Sequence, residues 1–389
     1  MRQRPRRFAY GVLLVSAFAL SCALNLHAQE VALTGYVMDL GSAQWLRPEF
    51  ARLLHADTRS FANILRARLK PAVTMGEHVT LGAEYEVAWS RFGAGIFTVQ
   101  PDLRHRQWTP LRWVITESDA GNVIHFIDRL ALTLGCDDGS VVLGRQRISW
   151  GTGRVWNPTD LFHPLNSAVF GKIEKDGVDA ISAKYAFGSF TDVQCVVNVA
   201  EADRRINAAL RFRTNAAEQD LSLIVGRFDG CAIVGADLAG NLFDAGVRGE
   251  ILYTFDERLH GMETIQTIAG IDYQFTADLY LALEYHFNGR GSAQPSGYNL
   301  TLLSSGRILN LGRNYLAAIT TVQLHPLLLV TGGGTVSLTD GSTFYNLAAT
   351  WSLHDEAALS CGAMLFAGDA GDEYWYYPRV LFLRGEWYF

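Results

Sequence analysis

The residues best suited to chemistry lie between Val141 and Asn166, in the run VVLGRQRISWGTGRVWNPTDLFHPLN. Arg145, Arg147 and Arg154, with the single acid Asp160, are threaded among Trp150, Gly151, Gly153, Trp156, Pro158 and Pro164. Guanidiniums in such a stretch suit charge selection in a passage. Catalysis would need a nucleophile within reach of a base. The ten histidines are scattered, and the chain contains no G-x-S-x-G, H-E-x-x-H or phosphate-loop pattern. Glu284 and His286 share one face of a strand-like run and form the one candidate acid–base pair, but such residues more commonly line an inner wall. The reading is a non-enzyme, with no cofactor and no metal site.

The elements that must position this stretch are strands. Alternation puts Leu143, Arg145 and Arg147 on one face, and Gly144, Gln146 and Ile148 on the other. An arginine against lipid costs about 2–4 kcal/mol near the bilayer midplane, so the expected direction for Arg145 and Arg147 is a lumen. Gly151 and Gly153 permit sharp bends, and Pro158 and Pro164 end regular structure. Trp150 and Trp156 are suited to anchoring the loop on a wall. Asp160 is suited to capping a turn or pairing with an arginine. The stretch reads as a strand exit followed by a loop that folds inward and lines a constriction. The competing reading is a packing loop whose arginines pair with lumenal carboxylates.

Alternation recurs along the chain. Ile206, Ala208, Leu210 and Phe212 oppose Arg211 and Arg213; Leu279, Leu281 and Leu283 oppose Tyr280, Ala282 and Glu284; Leu65, Ala67 and Leu69 oppose Arg66 and Arg68. These runs are apolar enough on one face for lipid and polar enough on the other for water. About eighteen such runs occur, with sixteen also possible, and the long connections (40–59, 91–123, 149–176, 289–309 and 367–376) all follow odd-numbered ones. The connections after even-numbered runs are all short, the arrangement of a membrane barrel with periplasmic turns and longer external loops. The fold expected is therefore all-β, a single antiparallel transmembrane barrel of 16–18 strands.

Arg66, Arg68, Glu84, Glu86, Arg211, Arg213 and Glu284 fall on predicted inward faces, as do Arg129, Arg205, Arg248, Glu250, Asp272, Arg384 and Glu386. The basic excess in this set suggests a lean toward anionic solutes, set against a balanced Arg–Glu network that merely satisfies the wall.

Composition agrees. The 389 residues are 49% hydrophobic, and the net charge is −6. Past the N-terminus no apolar run is long enough for a spanning helix. No basic domain or run is present, which excludes an electrostatic nucleic-acid binder. Residues 1–28 carry Arg2, Arg4, Arg6 and Arg7, then GVLLVSAFAL, then Ala28, and read as a signal peptide preceding a barrel of residues 29–389. Its removal leaves 29 basic residues against 39 acidic ones. Cys136, Cys195, Cys231 and Cys361 lie far apart without C-x-x-C spacing and read as small hydrophobes.

The pattern Gly144-Arg145-Gln146, Trp150-Gly151, Asn157-Pro158 and Asp160 resembles the DUF1302-like, porin-related outer-membrane barrel proteins. Glu284-Tyr285, Asn288-Gly289 and the closing aromatic strand are similar too. The likeness implies a barrel and a bacterial outer-membrane location. A chain ending on a strand at Phe389 also resembles outer-membrane barrels whose last strand addresses the barrel-assembly machinery. The expected partners are outer-membrane lipid, that machinery and small solutes. The expected function is a porin-like channel for passive or selective diffusion, the alternative being a non-conducting scaffold or export partner.

Overall fold

In the computed structural model, residues 28–92, 106–162, 176–199, 206–255, 264–304 and 308–389 are described. Most of residues 1–28, together with Arg205, His105, His163 and His260, lie outside them. The strands are β1 (Ala28–Trp45), β2 (Arg59–Met75), β3 (Val79–Phe92), β4 (Arg112–Ser118), β5 (Gly121–Cys136), β6 (Gly139–Gln146), β7 (Val178–Ala186), β8 (Asp192–Val199), β9 (Ile206–Ala216) and β10 (Gln219–Phe228). They continue as β11 (Cys231–Leu242), β12 (Ala245–Phe255), β13 (Thr264–Gln274), β14 (Leu279–Asn288), β15 (Asn314–His325), β16 (Leu328–Ser337), β17 (Thr343–His354), β18 (Ala357–Ala367) and β19 (Arg379–Tyr388). Every pairing is antiparallel, and β1 pairs with both β2 and β19, so the sheet closes. The closure is fastened at the chain end, where Gly35 and Phe389 exchange backbone hydrogen bonds of 2.8 and 3.1 Å.

Eighteen of the strands make the circle, and they coincide with the eighteen alternating runs. The nineteenth, β4, lies inside the expected 91–123 loop. It pairs with residues 121–126 of β5, while β6 pairs with residues 130–136 on the same flank. Thus β4 and β6 stand end to end, and β4 takes over the wall where the chain leaves β6 for the interior. Short hairpins close one end of the barrel. At the opposite end, Asp229 and Gly230 have φ of 51° and 84°, the doubly left-handed turn that follows strand twist, which the Asp-Gly pair favours.

Burial alternates along the strands, one face of each turned inward and the other outward. On β14, Ala282, Glu284 and His286 are buried on the inside while Leu283 is 43% exposed outside. On β19, Leu381, Leu383 and Trp387 face out, while Val380 and Glu386 are buried. Neighbouring strands pair all the way round the circle, so the wall bonds its backbone internally, the condition for crossing lipid without a helix. We expect Leu283→Arg to destabilise the barrel by about 2–4 kcal/mol, read as a lowered denaturant midpoint of the refolded protein in phospholipid vesicles.

Candidate pore constriction

The site begins where β6 stops being wall. Gly144 has φ of +114°, and an added Cβ would meet the Leu130 carbonyl, so only glycine fits this bend. Arg145 follows, opposite Asp179 in register, and its Nε donates to Asp179 Oδ1 at 2.7 Å. Its two terminal nitrogens donate to the carbonyls of Ile127 and Thr109. Ile127 lies between the stretch of β5 covered by β4 and the stretch covered by β6. The guanidinium thus fills the break in the ladder with the hydrogen bonds a strand would have made. Arg145 is placed in a wall seam, on the same face as outward Leu143 and Ile181, rather than in the open lumen, the direction expected from the cost of an arginine against lipid. Arg147, one residue beyond the end of the strand, is exposed and makes no ion pair with a described residue.

From Ile148 the chain turns inward. Ile148, Trp150, Leu161 and Phe162 pack on inner-wall residues Val178, Ala180, Val196, Ala209, Ile224 and Leu252. The Trp150 ring meets Phe162 edge-on at 5.4 Å, and its Nε1 donates to Gln194 at 3.0 Å. Arg211 lies over the Trp150 ring at 6.0 Å. Asp160 is buried, accepts from Ser149 Oγ at 3.4 Å, and its backbone N–H closes a turn onto Asn157.

Two wall carboxylates hold the middle of the segment. Glu250 on β12 accepts from the N–H groups of Thr152, Gly153 and Thr159 at 2.6–3.0 Å and from the Thr159 hydroxyl at 2.7 Å. Glu284 on β14 accepts from the N–H groups of Arg154, Val155 and Trp156 at 2.7–3.1 Å. Irregular backbone inside a barrel must find acceptors, and these two side chains supply them. The fit is close: a Cβ on Gly153 would overlap the Trp156 carbonyl.

Trp156 then stacks on His286 with ring centroids 5.1 Å apart and packs against Tyr315, and its Nε1 donates to Asn310 Oδ1 at 2.9 Å. Asn310 donates onward to Glu373 in the β18–β19 connection, which also accepts from the Tyr315 hydroxyl. Burial pushes the Glu373 carboxyl above the usual carboxylate range, against the lowering effect of that hydroxyl. The segment therefore spans the inner wall from β7 to β15.

Across the lumen, β2, β3 and β5 carry a second charge cluster. Arg66 pairs with Glu86 at 2.9 Å; Arg68 pairs with Glu84 at 2.7 Å, with Glu86 at 3.1 Å and with Asp128. Arg129 lies 3.8 Å from Glu84 and 3.6 Å from Asp128. Arg213 pairs with Asp192 at 2.7 Å. Arg154 keeps 45% of its side chain exposed, 3.7 Å from an Asp272 that Arg248 holds more closely at 2.9 Å. Sequence reasoning missed Asp179, Asp128, Asn310 and Glu373, whose partners are remote in the chain and only register or loop packing brings near.

The class defined by this geometry is a closed antiparallel barrel of the transmembrane type with one segment folded into its interior. No family model matches the chain, and no curated protein matches it in sequence. Solved structures do share its fold. OccAB1 of Acinetobacter baumannii superposes with a TM-score of 0.60 at 10% identity, covering 94% of this chain and 98% of that one. The outer membrane protein OprD from Pseudomonas aeruginosa gives 0.57 at 8% identity, covering 94% and 95%.

Because Arg145 closes the seam, we expect Arg145→Ala to lower stability by about 3–5 kcal/mol, leaving Asp179 without its ion pair. The check is the unfolding midpoint by heat-modifiable gel mobility. An unchanged midpoint would mean that the seam does not need the guanidinium.

Proposed function

We propose that this chain is an outer-membrane channel for diffusion of small solutes, with residues 147–160 forming its constriction. The observation that carries the reading is the anchoring of this segment. Six backbone N–H groups and the Thr159 hydroxyl donate to Glu250 and Glu284 and hold it inside a ring of eighteen strands, a ring size that encloses an aqueous lumen. In this reading the long-loop end faces outward, the barrel sits in the outer membrane, and the chain performs no catalysis. The resemblance to DUF1302-like, porin-related proteins supports the same assignment. The terminal strand at Phe389 fits the role of address for barrel assembly.

Charge supports a lean toward anions. Glu250 and Glu284 are occupied by loop N–H donors, and the β2–β3–β5 cluster is balanced, with Arg66, Arg68 and Arg129 facing Glu84, Glu86 and Asp128. Left over on the segment and the facing wall are Arg147, Arg154 and Arg211, none held closer than 3.7 Å by a carboxylate of the described residues. Basic groups at a narrow point favour anions.

In planar bilayers with a potassium chloride gradient, we expect steady conductance with a reversal potential on the anion side. Arg154→Ala/Arg211→Ala should move that potential toward zero. A folded barrel that passes no ions would favour the non-conducting scaffold reading, and an unmoved potential would place selectivity elsewhere.

A further inference from the structure

Where the barrel closes, its outer face carries a feature that the channel does not use. Strand β1 lies between β19 and β2, and register aligns their outward residues in rows. The row nearest the long-loop end is Arg379–Trp45–Arg59, and the next is Leu381–Ala43–Phe61. That these rows face out follows from their neighbours: Gln44 and Ser42 are buried inside, while Phe61 is 69% and Leu381 49% exposed. In the third row Gly41 is flanked by Leu383 and Asn63. Small residues on the central strand between large ones on both flanks make an apolar trough, and a cavity is found there.

At the head of the trough the two arginines flank the indole of Trp45. They stand one strand to either side of it, about 10 Å apart at the usual strand spacing. Arg59 and Arg379 are exposed, and neither makes an ion pair or side-chain hydrogen bond with a described residue. Arg91, opposite Asn63 on β3, is exposed in the same way. The acid on this face, Asp39, lies three rows below Trp45 and is held by Asn63 Nδ2 at 2.6 Å. Tryptophan and arginine are side chains of the membrane interface, and an apolar slot running from such a row toward the bilayer centre has the form of an acyl-chain site.

We infer that this face binds one phosphorylated lipid, with an acyl chain along Gly41 and Ala43 and a phosphate between Arg59 and Arg379. Charge complementarity selects this occupant over a second copy of the chain. A two-fold pairing would bring the same patch against itself and set four guanidiniums together with no acid among the described residues of that row. The inference rests on the outer-membrane reading above, although not on conduction.

The test is native mass spectrometry of the full barrel in detergent, titrated with bis-phosphorylated lipid A. We expect a single adduct. Its apparent affinity should fall at least tenfold in Arg59→Gln/Arg379→Gln, and similarly in Ala43→Trp, which fills the trough without touching charge. Heat-modifiable gel mobility establishes that each variant is folded. Dephosphorylated lipid A should bind no better to the unsubstituted protein than lipid A does to the charge variant. Equal binding by all proteins, or by both lipids, would overturn the site. Inorganic phosphate competing as well as the lipid would reduce it to an anion site and overturn the lipid. A dimer or trimer lost in Ala43→Trp regardless of lipid would replace the lipid with a second copy. Conductance measured in parallel separates the two readings. Ion flow without an adduct removes only the lipid site, and an adduct on a silent barrel removes only the channel.

Discussion

The interior of this barrel depends on two carboxylates that accept hydrogen bonds from backbone. Glu250 and Glu284 point inward from β12 and β14, and each takes three N–H groups of a segment that has no strand to pair with. Leaving a buried donor unpaired costs about 1–3 kcal/mol, so six donors without these acceptors would expel the segment from the lumen. The side chains do for the loop what neighbouring strands do for the wall.

The seam at Arg145 is the other half of the same problem. A strand that leaves a closed sheet opens a gap with orphaned carbonyls on its neighbour. Here β4 refills the upper part, and the Arg145 guanidinium spans the remainder through Ile127, Thr109 and Asp179. Departure and anchoring are thus linked. The wall can release residues 147–160 inward because Arg145 and β4 make good the loss, and the lumen can hold them because two glutamates receive them. Trp156 extends the hold to the long-loop end through Asn310 and Glu373, which ties the segment to the β14–β15 and β18–β19 connections.

Much of this was legible in the sequence, for a physical reason. Lipid outside and water inside impose a period of two on every strand, so the wall runs, their parity and inward residues such as Arg66, Arg68, Glu84 and Glu284 could be read directly. The inward fold of residues 148–162 was legible too, from two tryptophans and two glycines after a strand. The strand β4 was not, because it pairs with only part of β5 and sits inside a long connection. Arg145 was assigned to the lumen because a guanidinium facing lipid is costly, a rule that does not foresee a break in the sheet beside the residue. The work of Glu250 and Glu284 was hidden for a related reason. Their partners lie about 100 and 130 residues away and are main-chain groups, which carry no sequence signal.

In the proposed channel these two glutamates hold the constriction. Single-channel current of Glu250→Ala/Glu284→Ala, in barrels shown to be folded by heat-modifiable mobility, tests it most directly. A larger and noisier conductance than that of the unsubstituted chain is expected, as a freed segment leaves the lumen or fluctuates within it. An unchanged, quiet conductance in the folded variant would contradict it, because the segment would then be neither held by the carboxylates nor the narrow point of the passage.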